Sequence, residues 1–209
     1  MKKIILLLFI MLKFIVAEET QSLSLDSIST SYLSKIPFQM EYKIVQKFVD
    51  SEHTQESLGQ FYFHNHDCFR VNYPDSQILF DGNWLWSIDK INRQIIVEEF
   101  DPSSSLRLIY NVLNGNMSEY DVIDVSLMNK DSLLLNKFSL KSKDENSFFK
   151  SMHITVDPDK NSIIQVEYID FQETAIVIEF MDCYSHQIDE IILFEVKNIH
   201  QEDFIDLRP

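Results

Sequence analysis

Glycine is scarce in this 209-residue chain, which has three glycines where average usage gives roughly fifteen. Gly59, Gly82 and Gly115 lie far apart. Dinucleotide- and phosphate-binding loops need several glycines close together, because their backbone must approach the phosphates. The chain therefore contains neither a Rossmann fingerprint nor a P-loop.

The usual patterns of hydrolytic and metal sites are also missing. No Gly-x-Ser-x-Gly elbow occurs, and the serines at 103–105 stand at the start of a helical pattern, where serine is favoured as a cap. His64 and His66 would share a strand face, and Cys183 with His186 would complete a zinc site only from a distant strand. We therefore predict no catalytic residue, no metal and no cofactor.

Basic residues are few, 18 against 33 acidic ones, and three of them lie in an N-terminal leader pattern. Lys2 and Lys3 precede an apolar stretch from Ile4 to Val16, and Ala17 is a small residue at a plausible cleavage point. This predicts a secretory signal peptide over 1–17 and a single domain over 18–209. An uncleaved anchor is the less favoured alternative, because the stretch is shorter than the ~20 residues that span a bilayer.

Loss of the leader changes the net charge from −15 to −18, because residues 1–17 carry three lysines and no acidic residue. Such a chain repels nucleic acids and anionic lipid headgroups. Export also allows a disulfide between Cys68 and Cys183, the two cysteines of the chain. Two separate buried thiols are the alternative, and the sequence does not decide between them.

In the rest of the chain, apolar residues recur with either the helical period or the two-residue period of strands. Helical spacing over 22–36 ends at Pro37, and a second helical pattern begins with Asp101 as the expected N-cap and ends at Gly115. Elsewhere apolar and polar residues alternate in ten or eleven short strands. The pattern predicts one mainly β domain with helices on one face of a strongly curved antiparallel sheet. The aromatic face of that sheet is either an ordinary core or an apolar cavity suited to an acyl chain.

Three segments carry a resemblance: GQFYF at 59–63, FRVNY at 69–73 and QILFDGNWLWSID at 77–89. They resemble the core of the periplasmic outer-membrane lipoprotein carrier family, LolA. The most specific element is Asp81-Gly82 followed by Trp86. The two helical patterns, the hairpin over 152–180 and the C-terminal segment 204–208 follow in the same order, so the resemblance covers essentially the mature chain.

The resemblance implies an incomplete, strongly curved antiparallel β-barrel with lid helices over an apolar cavity. It also implies a monomeric periplasmic carrier and not an enzyme. Such a carrier accepts acylated lipoproteins from an inner-membrane ABC-type release complex, shields their acyl chains and passes them to an outer-membrane acceptor.

Alternation and the resemblance together predict the lipid-binding residues, and a slip of one residue would turn a whole strand over. The sheet wall is expected to consist of Phe61, Phe63, Phe69, Val71, Tyr73, Leu79 and Trp86, the lid of Leu106, Ile109 and Leu113, and the far wall of Met152, Ile154 and Ile178.

Two departures from the family pattern leave alternatives open. Asn65 stands where the family has an Arg that holds the lid closed, and residues 197–200 replace a Pro-rich turn. The alternatives are a sensor or carrier of another lipid on the same fold, an exported hydrolase, and an exported adhesion or binding module with a filled core.

Overall fold

The computed structural model describes residues 30–48, 53–65, 67–170, 172–185 and 204–209. The predicted signal peptide, most of the helix predicted over 22–36 and the strand predicted around Phe194 lie outside these residues. Residues 30–33, the end of that first helical pattern, are helical.

Twelve strands and one longer helix make up the described chain. The strands are β1 (Phe38–Lys47), β2 (Thr54–Phe63), β3 (Phe69–Asn72), β4 (Ser76–Phe80), β5 (Leu85–Asp89), β6 (Gln94–Glu98), β7 (Tyr120–Lys130), β8 (Leu133–Ser142), β9 (Ser151–Asp157), β10 (Ser162–Ile169), β11 (Ala175–Ser185) and β12 (Phe204–Asp206). The helix α1 (Ser105–Leu113) lies between β6 and β7.

All twelve strands belong to one sheet, in the order β12-β6-β5-β4-β3-β2-β1-β11-β10-β9-β8-β7. Every pair is antiparallel except the parallel pair of β12 with β6. The sheet is strongly curved and open, and among the described strands β12 and β7 are its edges. The predicted strongly curved, incomplete antiparallel sheet is therefore confirmed, with twelve strands among the described residues in place of ten or eleven. The predicted apolar cavity is instead filled by buried side chains.

One face of the sheet, called the inner face here, carries the core. Alternation puts Phe61 and Phe63 of β2 on this face, and directly opposed residues of neighbouring strands share it. Both phenylalanines are fully buried. The helix α1 packs against the inner face, because six of its nine residues are buried in the same core.

The ends of α1 show why the helix lies where it does. Its N-cap is Ser104, whose side chain accepts a hydrogen bond from the backbone N–H of Arg107 at 3.1 Å. The prediction of Asp101 as N-cap was wrong, because its carboxylate accepts from the N–H and hydroxyl of Ser103 and shapes the turn before the helix. Gly115 has a φ of 71°, as expected for the residue that ends a helix.

Candidate functional site

The candidate site is the space between α1 and the inner face of the sheet. Eleven of the thirteen predicted residues come together there, all except Leu79 and Trp86. Ten are buried, and Tyr73 is partly buried against them. Side chains fill this space: Phe61 and Phe69 stack at 4.9 Å, and Phe38 and Phe63 stack at 5.2 Å.

Leu79 and Trp86 lie on the opposite, outer face, so their predicted place in the sheet wall was wrong. Leu79 is directly opposed to both Arg70 and Trp86. Phe69 is instead opposed to Phe80. Because opposed residues share a face, the alternation of β4 and β5 is shifted by one residue from the expected one.

The prediction missed several aromatic residues of the site, among them Phe80, Phe100 and Tyr110. The Tyr110 ring of α1 lies 5.6 Å from both Phe69 and Phe80 and 6.0 Å from both Phe63 and Phe100. Tyr110 stacks on Phe63, lies tilted to Phe69 and meets Phe80 and Phe100 edge-on, all at separations that suit aromatic pairs. The helical period does contain the signal for Tyr110, which lies four residues after Leu106 on the same stripe.

One side-chain hydrogen bond joins α1 to the sheet at its N-terminal end. The hydroxyls of Ser105 and Tyr168, the latter on β10, are 2.6 Å apart. Burial raises the pKa of Tyr168, and the bond to Ser105 opposes that rise. We call this pair the Ser105–Tyr168 latch.

β10 also holds the helical turn at residues 30–33. The buried backbone N–H of Ile163 donates to the Tyr32 hydroxyl at 2.9 Å, and the Tyr32 ring lies 5.7 Å from Phe38. Burial raises the pKa of Tyr32 far above its usual value, so its hydroxyl stays neutral. The two helical elements are thus anchored to the same strand.

Among the described residues, the contacts of Asn65 lie within the connection between β2 and β3. Its side-chain oxygen accepts from the backbone N–H of Asp67 at 2.8 Å. The backbone N–H groups of His64 and Asn65 donate to the carbonyl of Cys68, so the contacts of Asn65 shape the β2–β3 connection.

The Asp81-Gly82-Trp86 motif organises the outer face. The Asp81 carboxylate accepts from the backbone of Asn83 and Trp84 at 2.9 and 2.8 Å and from the Trp86 indole at 2.9 Å. Partial burial opposes ionisation of Asp81, but these hydrogen bonds outweigh it and hold its pKa below the usual value. Gly82 has a φ of 96°, which requires glycine. The Trp86 ring lies 6.0 Å from Phe204, so the motif supports the docking of β12.

A surface groove of about 480 Å³ lies beside the filled interior. Its lining includes Tyr42, Gly59 and Tyr73, and the hydroxyls of the two tyrosines are 2.7 Å apart. A Cβ at Gly59 would lie 2.7 Å from the Tyr42 ring, so only glycine leaves room for this ring. Of the predicted lipid-binding residues, Tyr73 alone lines this groove.

Chemically, the site is apolar. Within the described ranges no three His, Cys, Asp or Glu side chains are grouped as a metal ion would require; the zinc candidates His66 and His186 lie outside those ranges. Cys68 and Cys183 are free thiols, and burial raises the pKa of each. No described helix is long and apolar enough to cross a membrane.

A family model described as outer membrane lipoprotein carrier protein LolA matches residues 38–195. The search of curated proteins found no match.

Solved structures are similar to this chain at low sequence identity, and two of them, with TM-scores of 0.50 or more, share its fold. An uncharacterized conserved protein from Thermus thermophilus is 9% identical with a TM-score of 0.54, over 88% of this chain and 98% of that one. A DUF1329 family protein from Desulfovibrio piger is 10% identical with a TM-score of 0.50, over 84% and 97%. A LolA superfamily protein from Nitrosomonas europaea is 12% identical with a TM-score of 0.40, over 80% and 97%.

Proposed function

This chain belongs to the outer membrane lipoprotein carrier family LolA, and we propose that it binds the acyl chains of lipoproteins between α1 and the inner face of its sheet. The observation that carries this proposal is the extent of the apolar surface under one short helix. Eleven predicted lipid-binding residues and the aromatic residues Phe80, Phe100 and Tyr110 form one continuous cluster there.

Cargo binding requires α1 to move, because the aromatic cluster is closed. Phe61, Phe63 and Phe69 have no exposed surface. An acyl chain therefore has to replace the contacts between helix and sheet. Each buried methylene contributes about 0.8 kcal/mol to binding, so about ten methylenes contribute about 8 kcal/mol. The free energy of the helix–sheet contacts that are lost has to be subtracted from this gain. Because α1 packs back when the chain leaves, the balance favours reversible binding.

The proposed setting is the periplasm, reached through cleavage of a signal peptide at residues 1–17. The proposed donors and acceptors are an inner-membrane ABC-type release complex and an outer-membrane acceptor. A net charge of −18 after cleavage supports a carrier that does not stay on anionic headgroups. In this proposal the protein acts by binding and release and carries out no catalysis.

The test compares two Glu substitutions on the same helix. Leu106→Glu puts a charge on the buried side of α1, and Asn111→Glu puts the same side chain on its partly exposed side. We expect native mass spectrometry to find acyl adducts on the wild type and on Asn111→Glu, and to find none on Leu106→Glu. Circular dichroism must show that Leu106→Glu is folded; otherwise Leu106→Gln, which is uncharged, takes its place.

Absence of any lipid adduct on the wild type would contradict binding in this space. The cargo is tested next by depleting this protein in cells, after which we expect lipoproteins to accumulate in the inner membrane. If they leave it normally while acyl adducts are found, the cargo is another lipid.

A further inference from the structure

The edge strand β7 is unusually long and apolar for a free edge. It has eleven residues, pairs only with β8 within the described chain, and is exposed along almost its whole length. On the inner face it carries a row of exposed apolar residues, Val122, Val125 and Leu127, which we call the β7 strip. A long exposed apolar edge of this kind is a template for pairing with another strand.

The hairpin of β7 and β8 holds this edge in an extended conformation. β7 and β8 are joined by two residues, Asp131 and Ser132, whose φ angles of 51° and 68° match the tight turn that suits the twist of a hairpin. Lys130 and Leu133 are paired directly beside the turn. The free edge of β7 is thus already in the conformation that a neighbouring strand needs.

Charge favours a second copy of this chain as the neighbour. The hairpin over 120–142 carries three acidic and three basic residues and is neutral, in a chain with a net charge of −15. Two copies therefore meet there without the repulsion that most of their surface would cause. A neutral edge does not attract an acidic partner, and a basic partner is attracted more strongly to the acidic parts of the surface.

The sequence of β7 is complementary to itself. We propose that two copies pair antiparallel through β7 about a twofold axis at Ser126. In this register Val125 lies opposite Leu127 of the second copy on the inner face, and Asp121 lies opposite Lys130 of the second copy on the outer face. Each pair occurs twice, as a twofold interface requires.

The β-bulge of β7 makes this register possible. The pairing with β8 skips Ile123, between Val122 and Asp124. The alternation of side chains between the two faces of the sheet therefore shifts by one residue at this bulge. As a result both Asp121 and Lys130 point to the outer face, opposed to Lys141 and Leu133 of β8. Asp121 contacts Lys143 of its own chain at 3.5 Å and keeps two thirds of its side chain exposed, so it is accessible to the second copy.

The resulting dimer goes beyond cargo binding and departs from the monomer that the family resemblance implies. It joins the inner faces of two sheets at the β7 strip. Its failure would leave the carrier proposal untouched, because that proposal concerns the space under the helix.

The first test is the mass of the purified protein by sedimentation equilibrium over a range of concentrations. We expect a monomer–dimer equilibrium in the wild type. Leu127→Lys should raise the dissociation constant about tenfold or more, because the change occurs twice and puts a charge on the paired edge. Ile91→Lys is the control, since Ile91 and Leu127 are both 69% exposed and Ile91 lies in the β5–β6 turn.

Two further variants test the register. Lys130→Asp should weaken the dimer by placing two acidic residues opposite each other, and the exchange Asp121→Lys with Lys130→Asp should restore it. Ser126→Cys should form a disulfide-linked dimer on a non-reducing gel, whereas Ser132→Cys in the turn should not.

Three results would overturn the proposal. The first is a wild type that stays monomeric up to its solubility limit. The second is an equal effect of Leu127→Lys and Ile91→Lys. The third is a Leu127→Lys variant that is less stable as a monomer and unchanged in association, which would mean that the chain covers the β7 strip with a segment of its own.

Discussion

The Ser105–Tyr168 latch offers a direct measure of how firmly α1 is held over the aromatic cluster. Its two hydroxyls are 2.6 Å apart, and the Tyr168 ring also packs edge-on against Phe149 at 5.1 Å. Tyr168→Phe removes the hydrogen bond and keeps this ring contact. A neutral hydrogen bond contributes about 0.5–1.5 kcal/mol, which is about a two- to thirteenfold change in the equilibrium between the closed and open helix.

If α1 has to open before an acyl chain enters, the apparent affinity rises with the open fraction. We therefore expect Tyr168→Phe to bind a fluorescent fatty acid about two to thirteen times more tightly than the wild type. Amide hydrogens of α1 should exchange faster by the same factor. Ser105→Ala should have a similar effect, and the double variant should add little, because both changes remove the same bond.

Tyr62→Phe is the matched control, since the Tyr62 hydroxyl donates to Gln60, away from α1. Unchanged acyl affinity and unchanged exchange of α1 in both latch variants would refute the reasoning. So would additive effects of the two substitutions, which would mean that the hydroxyls act independently.

Two further substitutions test the packing on the two faces of the sheet. Gly59→Ala should lower the free energy of unfolding by about 1–3 kcal/mol in urea titrations, because its Cβ would lie 2.7 Å from the buried Tyr42 ring; a loss of the same size in a Tyr42→Ala background would contradict this cause. Asp81→Asn should cost about 1 kcal/mol at pH 7, where the carboxylate is ionised and accepts the Trp86 indole N–H. Because the folded pKa of Asp81 is lowered, this stabilisation is present above the unfolded value of about 3.9 and is lost as the pH falls through the folded pKa. The difference between the two proteins should therefore shrink as the pH falls below about 3.9, and a difference independent of pH would refute the role of the charge.

Much of the site was predictable because strand alternation and helical spacing are local. Period two puts Phe61 and Phe63 on one face, the resemblance makes that face the inner one, and the helical stripe puts Ile109 and Leu113 on the buried side of α1. These assignments need no knowledge of which strands pair. The face assignments were wrong in β4 and β5, because the short connection after β3 shifts the alternation of side chains by one residue.

The N-cap of α1 shows the same limit at a helix end. Asp101, Ser103 and Ser104 are all good capping residues, so local preference does not choose among them. Packing of α1 on the inner face decides where the helical turns begin. Asp101 then serves the preceding turn and Ser104 becomes the cap.

The sequence by itself indicated a mainly β fold with amphipathic helices, because composition and period are properties of neighbouring residues. Only the tertiary structure decided that Leu79 and Trp86 lie on the outer face, that aromatic rings fill the space under α1, and that Tyr168 meets Ser105. Each of these depends on residues far apart in the chain: 63 positions separate the two hydroxyls of the latch. Register and packing bring such residues together, and no local pattern encodes that distance.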